Sequence, residues 1–192
     1  MTYPIVNILD LVETIGEEQV QSILSDFSCP KNQEIEDFVH WNALDFAKRK
    51  MSITYGIFDD DGNLAAIFSL THKAVEIGNT NLSSSTKRKI ERYAQLDEAS
   101  NMYTVSAFLI AQFGKNYAVS SKSLTGNQMM DCAFDILTRV QHEIGGGVVY
   151  LECEDKEKLL SFYQNDQNRF KPFGKRFSSV ENVDYIQLFR FF

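Results

Sequence analysis

The stretch LIAQFGKNYAVSSKSLTGNQMMDCAFDIL, residues 109–137, changes its hydrophobic pattern twice. It begins as the end of a β-rich run, MYTVSAFLIAQFGKNY, and passes into a polar segment whose only glycine is Gly126. From Asn127 onward, apolar residues recur at helical spacing, and polar residues occupy the opposite face. The apolar face consists of Met129, Ala133, Leu137, Val140 and Ile144. We therefore predict a strand, a loop and a helix, in that order.

A second strand follows this helix. The run GGGVVYLEC, residues 145–153, predicts a helix stop and then a strand from Val148 to Cys153. Two consecutive strands joined through a helix are expected to lie parallel, with a right-handed crossover. Three later runs predict a short helix and two further strands: DKEKLLSFYQ, RFKPFGK and DYIQLFRFF.

The first half of the chain predicts two helices and a hairpin. One helix carries Val20, Ile23, Leu24 and Phe27; a second starts after the cap Asn32 and ends at the cations of residues 48–50. Strands near 52–59 and 63–71 flank Asp61-Gly62, a strong hairpin signal. A short helix is expected at 86–95. We expect one domain, residues 1–192, of the α/β (α+β) class, with a mixed, mostly antiparallel sheet around a central parallel β-α-β unit.

The composition limits the classes of function. The 192 residues have a net charge of -7 and a pI near 5, which disfavours nucleic-acid binding because phosphate contacts need basic groups. Two basic runs remain, at 48–50 and 87–92, and each is either a solvated helix face or a binding patch. Neither cysteine nor histidine spacing suggests a metal site, and no apolar run approaches ~20 residues. We expect a cytoplasmic protein with no metal and no membrane partner.

The polar loop before the helix has the groups that phosphate binding requires. A loop between the carboxyl end of a strand and the amino end of a helix presents unpaired N–H groups and the positive end of the helix dipole. Gly126 would allow a positive φ or the close approach of a phosphate. Lys122 adds charge, and further donors are Ser121, Ser123, Thr125 and Asn127. The loop is equally compatible with an ordinary strand-to-helix turn.

Read together with VVYLECEDKEKLLSFYQ, residues 148–164, the first stretch resembles the central region of the GNAT superfamily of N-acetyltransferases, over roughly residues 103–174. In that family a pyrophosphate-binding loop, a helix, a strand and a helix bearing an aromatic–tyrosine pair follow one another. Here the pair is Phe162-Tyr163. The chain departs from the family pattern at an earlier loop glycine, replaced by Leu124, and at the usual Gly-Phe, replaced by Arg169-Phe170. The chain is similar to a branch of this superfamily that has a glycine-poor loop and occurs in Gram-positive bacteria and their mobile elements. That branch includes acetyltransferase-toxin relatives.

The resemblance implies an acyl-CoA N-acyltransferase fold with acetyl-CoA as co-substrate. Acetyl-CoA would lie where the strand ending near Tyr117 splays from the strand ending at Cys153. Its pantetheine would pair like an added strand with the backbone at Phe113, Gly114 and Lys115, and the Phe113 N–H would donate to the thioester carbonyl. The residues expected to hold the pyrophosphate are Lys122, Ser123, Leu124, Thr125, Gly126 and Asn127.

The resemblance also assigns the proton transfers. Tyr163 matches the family's general-acid tyrosine, which would protonate the departing thiolate; the residues alone are also compatible with a core tyrosine beside Phe162. Glu152 and Glu154 end the second strand, where a carboxylate either takes the amine proton through water or is merely solvated. Glu154 is our candidate of the two.

We therefore expect direct transfer of an acetyl group from acetyl-CoA to a primary amine. The acceptor is an amine carried by a small molecule, a peptide or RNA, and the sequence does not choose among these; a homodimer is compatible with it. Two alternatives remain open. One is an acyl-CoA-binding module without turnover, which the glycine-poor loop favours. The other is a toxin-type enzyme that acetylates aminoacyl-tRNA; the acidic pI opposes it, although the two basic runs could converge into a local patch.

Overall fold

The computed structural model of the protein describes residues 3–80, 82–119, 124–179 and 181–192. The helices and strands follow one another in this order: β1 (Ile5–Asn7), α1 (Ile8–Ile15), α2 (Glu17–Ser25), α3 (Gln33–Asp37), a π-helical turn (Phe38–Asn42), α4 (Ala43–Lys48), β2 (Ile53–Phe58), β3 (Leu64–Gly78), α5 (Ser84–Ile90), β4 (Leu96–Asp97), β5 (Met102–Lys115), α6 (Gly126–Ile144), β6 (Val148–Glu154), α7 (Glu157–Gln164), β7 (Lys171–Ser178) and β8 (Val183–Phe191).

The strands form one mixed sheet in the order β1-β2-β3-β5-β6-β8-β7, and the short β4 pairs with β5. The pairs β1–β2, β2–β3, β4–β5, β6–β8 and β7–β8 are antiparallel, whereas β5 and β6 are parallel. A parallel pair needs a crossover, and α6 provides it. The predicted mixed, mostly antiparallel sheet with a central parallel unit is therefore confirmed.

The chain groups into two compact units, and each has its own core. The first unit holds the residues up to Thr71 together with Ile110–Ile136. Its apolar cluster is built by the N-terminal helices and β3, and includes Ile8, Val20, Leu24, Phe27, Val39, Ala43, Leu44 and Ile67. Full burial of such a side chain contributes about 1.5–3 kcal/mol, so packing rather than length stabilises these short helices.

The second unit holds His72–Leu109 and Leu137–Phe192. One apolar cluster here combines β3, α5, β5, β6 and β8, through Val75, Ile77, Ile90, Tyr103, Val105, Val148, Tyr150 and Phe189. In β6, the alternate residues Val149, Leu151 and Cys153 are buried as well, so this strand is covered on both faces, as parallel strands usually are. Whether the two units act as a single domain, as predicted for residues 1–192, stays a prediction.

Several predicted boundaries need correction. The helix expected at 86–95 is shorter and begins earlier, because the Ser83 Oγ caps α5 by accepting from the Thr86 N–H at 3.2 Å. β3 continues beyond residue 71 to Gly78, because Val75 and Ile77 are buried in alternation with the exposed Glu76 between them. Ile144, predicted on the apolar face, is 73% exposed because it is the last residue of α6.

The N-terminal β1 and α1 were missed by the sequence reasoning, as was the π-helical turn inside the second predicted helix. The hairpin, the Asn32 cap and the later strands and helices are confirmed. None of the helices in the described ranges is long and apolar enough to cross a membrane.

Candidate active site

The parallel pairing of β5 and β6 is short. Phe108 lies opposite Val149, and Leu109 lies opposite Tyr150. Beyond these residues β5 runs on to Lys115, and β6 runs on to Glu154. The strand–helix–strand order predicted for the cofactor unit is present as β5, α6 and β6.

The end of β5 carries three predicted cofactor residues, Phe113, Gly114 and Lys115. A Cβ at Gly114 would lie 2.7 Å from the Cγ2 of Ile35, so the glycine is needed to let α3 approach the strand. The Nζ of Lys115 donates to the Leu124 carbonyl at 2.8 Å, which ties the strand end to the residue before α6. Phe113 is half-buried beside them. The packing of the first unit therefore explains Gly114 without any cofactor.

The first turn of α6 is capped by its own side chains. Gln128 Oε1 accepts from the Thr125 N–H at 2.8 Å, and Thr125 Oγ1 accepts from the Gln128 N–H at 3.3 Å. This reciprocal arrangement is a capping box. Because it occupies the Thr125 N–H, a phosphate would have to use the N–H groups that follow, at Gly126 and Asn127. The first turn contains no acidic residue, so no carboxylate offsets the positive end of the helix dipole.

Of the two roles considered for Gly126, a positive φ and the close approach of a phosphate, the structure rules out the first. Gly126 is the first residue of α6 and its φ is not positive, since the chain has already entered the helical conformation there. Leu124, at the position of the family's earlier glycine, is only 2% exposed and anchors the end of the loop in the core of the first unit. Two predicted pyrophosphate residues, Lys122 and Ser123, lie outside the described residues.

Asn116 was missed by the sequence reasoning and holds the end of β5 in place. Its Nδ2 donates to the Leu64 carbonyl at 2.8 Å, and its Oδ1 accepts from the N–H groups of Ser28 and Ala118, both at 2.9 Å. The side chain is 2% exposed, so these hydrogen bonds satisfy polar groups that water cannot reach. An asparagine directly after a long strand was the only signal available in the sequence.

Tyr163 lies on the buried face of α7. Its ring makes edge contacts with Phe162, at a centroid distance of 4.9 Å, and with Phe170, at 6.0 Å. Burial raises the pKa of the Tyr163 hydroxyl, and the nearby Cys153 raises it further. Burial likewise raises the pKa of the Cys153 thiol to about 11. Both groups therefore keep their protons at neutral pH, as a general acid must before it acts.

The chain after α7 explains one departure from the family pattern. Arg169 has a φ of 54°, which lies in the left-handed region that glycine adopts without strain. The Phe170 N–H then donates to the Tyr163 carbonyl at 3.0 Å, and Phe170 is fully buried against the tyrosine ring. Arg169 therefore adopts a backbone conformation that the family's usual glycine favours.

The two carboxylates at the end of β6 have different environments. The Oε2 of Glu152 accepts from Arg176 Nε at 2.8 Å, and its Oε1 accepts from Gln187 Nε2 at 2.9 Å and from the Tyr150 hydroxyl. Burial alone would raise the pKa of Glu152, but these hydrogen bonds outweigh it and lower the pKa. Glu152 is thus a poor base. Glu154 makes a single ion pair, with Lys156 Nζ at 2.6 Å.

Other candidate features carry less chemistry. A cleft of about 460 Å³ is lined by residues of α7 and its ends, but neither Tyr163 nor Glu154 lines it. Within the described ranges, no group of three His, Cys, Asp or Glu side chains is arranged to hold a metal ion. The imidazole of His40 forms a hydrogen bond with the Phe27 carbonyl at 2.7 Å, which gives this histidine a structural role. All three cysteines are free and buried.

No protein-family model and no curated protein matches this chain in sequence. Solved structures do resemble it. A tyrosine-to-phenylalanine variant of KacT has a TM-score of 0.66 at 13% identity, covering 100% of this chain and 95% of KacT. AtaT complexed with acetyl-methionyl-tRNAfMet has a TM-score of 0.64 at 12% identity, covering 95% and 93% of the two chains. AtaTR bound with AcCoA has a TM-score of 0.60 at 14% identity, covering 99% and 93%. These likenesses establish the GNAT-like acetyltransferase fold.

Proposed function

We propose that this chain transfers an acetyl group from acetyl-CoA to a primary amine. The observation that carries the proposal is the order β5, α6, β6, α7 of the acetyltransferase fold with Tyr163 buried on α7, its proton retained, beside Cys153 of β6. A structure with the same fold holds AcCoA, which supports acetyl-CoA as the co-substrate here.

The reaction assigned to the site is direct transfer. The amine nitrogen attacks the thioester carbonyl carbon, a C–N bond forms, and the C–S bond breaks. The proton of the attacking amine leaves to water or to a carboxylate, and the Tyr163 hydroxyl gives its proton to the departing CoA sulfur and regains one from solvent. A phenol with a raised pKa stays protonated until the thiolate develops, so it is available as the acid over a wide pH range.

The cofactor contacts are assigned to the first unit. The N–H groups of Gly126 and Asn127 and the dipole of α6 would bind the pyrophosphate, with Lys122 and Ser123 as further donors. The backbone of Phe113 to Lys115 would bind the pantetheine. The capping box and the Lys115–Leu124 hydrogen bond support this assignment, because they hold the helix start in place before any ligand binds.

Glu154 is the carboxylate we propose for the amine proton. Glu152 is excluded from this role by its hydrogen bonds with Arg176 and Gln187, whereas Glu154 has one partner on an exposed lysine. An amine that is already deprotonated can attack the thioester unaided. A base that acts through water therefore has to contribute only a small part of the rate of transfer.

For the acceptor we propose the amino group of an aminoacyl-tRNA. AtaT, which shares the fold, has been seen with acetyl-methionyl-tRNAfMet, the product that such a transfer gives. The descent of this chain from the glycine-poor Gram-positive branch, and the homodimer, stay predictions. The acyl-CoA-binding module remains the competing function, because the phosphate loop has a single glycine.

The test is release of free thiol from acetyl-CoA by the purified protein. We expect release with aminoacyl-tRNA, and little with deacylated tRNA or with free amino acids. Release with small polyamines or peptides instead would replace the proposed acceptor but keep the enzyme. Thermal stabilisation by acetyl-CoA without thiol release for any amine would favour the binding module.

A further inference from the structure

Two basic runs in this chain have the same sequence, Lys-Arg-Lys, but different surroundings. In the first, at the end of α4, Lys48 Nζ lies 2.9 Å from Glu17 Oε2, and Arg49 NH1 lies 3.2 Å from Asp45 Oδ2. Carboxylates of the same surface therefore neutralise two of its three cations. Such a run has little charge left for a phosphate.

The second run, Lys87 to Lys89, lies on α5 and is not neutralised. Within the described part of the chain, none of its three cations, nor Arg92 one turn later, is in an ion pair. The one acidic residue of this segment, Glu91, accepts a hydrogen bond from the Tyr103 hydroxyl at 3.2 Å. Residues 87–93 therefore contain four cations and one carboxylate, and this surface keeps a net positive charge.

An aromatic side chain is fixed beside these cations. Tyr93 is 45% exposed, and its ring lies so close to Gly147 that a Cβ there would be 1.9 Å from the Tyr93 Cζ. The glycine thus creates the space in which the ring is held. RNA bases stack on exposed aromatic rings, and RNA phosphates contact cations. Tyr93 and the cations that precede it in the chain provide both kinds of group.

Charge is also divided unevenly between the two units. The sequence of the second unit, which carries α5 and Tyr163, contains 13 Lys and Arg against 12 Asp and Glu, whereas the first contains 6 against 14. The net charge of -7 therefore comes from the first unit. An anionic polymer would be repelled by the first unit and tolerated by the second.

We propose that the α5 surface, defined as Lys87, Arg88, Lys89, Arg92 and Tyr93, binds the sugar-phosphate backbone of an RNA acceptor. This inference rests on the proposed aminoacyl-tRNA substrate and assigns the residues that hold it. α5 is anchored by Ile90 in the same apolar cluster as Tyr150 of β6, so the surface is built on the strand that leads to Cys153 and Tyr163.

The two identical tripeptides provide a matched experiment. One variant replaces Lys87, Arg88 and Lys89 by Gln, and its control replaces Lys48, Arg49 and Lys50 by Gln, so both lose the same charge. Binding of a short RNA stem-loop with a single-stranded 3′ end is measured by anisotropy over a range of salt concentrations. We expect the α5 variant to bind on the order of 10-fold more weakly, with a salt slope reduced by about 2. The control should behave like the wild type.

Tyr93→Ala gives a second readout. Loss of stacking should weaken RNA binding while leaving the salt slope unchanged, because no phosphate contact is removed. Equal losses in both triple variants, no RNA binding by the wild type, or tighter binding of phosphatidylserine vesicles than of RNA would each overturn the proposal.

Failure of this inference is separable from failure of the proposed function. Stabilisation by acetyl-CoA, and thiol release with aminoacyl-tRNA, peptide or polyamine acceptors, are measured on the same proteins. If both persist while RNA binding is absent or unaffected by the α5 changes, only the RNA surface is wrong. If the wild type shows neither, the acetyltransferase function itself is wrong.

Discussion

At the scale of single residues, Tyr150 and Tyr163, two of the buried tyrosines of the second unit, differ in one respect. Burial raises the pKa of both hydroxyls, but the Tyr150 hydroxyl donates to the Glu152 carboxylate. No hydrogen bond contributes to the pKa of Tyr163. A donor already engaged cannot serve a leaving group, so Tyr150 has a structural role, whereas Tyr163 stays the general acid that we propose.

We predict that Tyr163→Phe lowers the rate of thiol release on the order of 10²-fold, the range of positioned acid catalysis. The ring and its packing are kept, so the folded protein and its stabilisation by acetyl-CoA should remain. Tyr150→Phe is the matched control, and it should cost about 1 kcal/mol of stability for the lost hydrogen bond but leave the rate per folded molecule unchanged. An unaltered rate in Tyr163→Phe would remove this residue from the mechanism.

The direction of the pKa shift adds a pH signature to the same prediction. A general acid works while it is protonated, and the raised pKa of Tyr163 keeps it protonated well above neutral pH. The wild-type rate should therefore hold as pH rises to about 9.5, close to the unperturbed tyrosine value of ~10. A decline in the single-turnover rate below that pH, with intact fold, would contradict this assignment.

The backbone conformation of Arg169 leads to a prediction about the stability of the protein. A left-handed conformation costs a non-glycine residue roughly 1–2 kcal/mol, and glycine avoids this cost but loses more entropy on folding. We predict that Arg169→Gly stabilises the protein by about 1 kcal/mol in urea unfolding, with the rate of thiol release unchanged. Arg169→Ala should show no such gain, because alanine has the same restriction, and stabilisation by both would point to charge instead.

At the scale of elements, the start of α6 is the part of the fold to which we assign the pyrophosphate of the cofactor. Gly126 already has helical geometry, so a side chain there does not force a change of φ. A β-branched side chain would instead stand in the space of an approaching phosphate. This makes substitution at Gly126 a test of binding rather than of folding.

We predict that acetyl-CoA raises the melting temperature of the wild type and that Gly126→Val abolishes most of this shift. A ligand that binds only the native state stabilises it by RT ln(1 + [L]/Kd), so a lost shift reports lost affinity. Gly78→Val, the same change in β3, is the control and should keep the shift. If the wild type shows no shift at millimolar acetyl-CoA, the cofactor assignment fails.

At the scale of the whole molecule, resistance to acid depends on the network that joins β6, β7 and β8. Gln187 reaches the Glu152 carboxylate from β8, which pairs with β6, and Arg176 reaches it from β7, the strand beyond β8. Gly174 leaves room for the Gln187 amide, since a Cβ there would lie 2.6 Å from the Gln187 Oε1. The hydrogen bonds lower the pKa of Glu152 despite its burial. A lowered pKa in the folded state means that this stability is present above the unfolded value and is lost as pH falls.

We predict that the wild type loses stability as pH decreases below about 4.3, the unfolded Glu value. Glu152→Gln should be less stable by about 2 kcal/mol at pH 7, since charge-assisted hydrogen bonds are weakened, and its stability should fall less on acidification. Urea unfolding from pH 3 to 7 measures both. The exposed Glu143→Gln is the control, and if it flattens the pH profile as much as Glu152→Gln does, the network is not the cause.

The sequence by itself determined the order and type of most elements. Periodic apolar spacing, the Asn32 cap and the Asp61-Gly62 turn are local signals, and they are read correctly because hydrogen bonds and side-chain faces within one element depend on neighbours in the chain. The same holds for the β5–α6–β6–α7 order and for the position of Tyr163 beside Phe162. The start of α5 and the N-terminal β1 and α1 were misread or missed, because short elements depend on packing partners that lie far away in sequence.

Only the tertiary structure decided what individual polar groups do. Lys48 to Lys50 and Lys87 to Lys89 are identical in sequence, yet Glu17, distant in the chain, neutralises one run, while the acid nearest the other is held by Tyr103. The sequence does not distinguish Glu152 from Glu154, but in the fold hydrogen bonds from β7 and β8 give Glu152 a structural role. Asn116 holds the end of β5 in place because its side chain forms hydrogen bonds with the backbone of Leu64 and Ser28, which are distant in sequence. The strength of a charge or a hydrogen bond depends on distance and burial, and folding sets both.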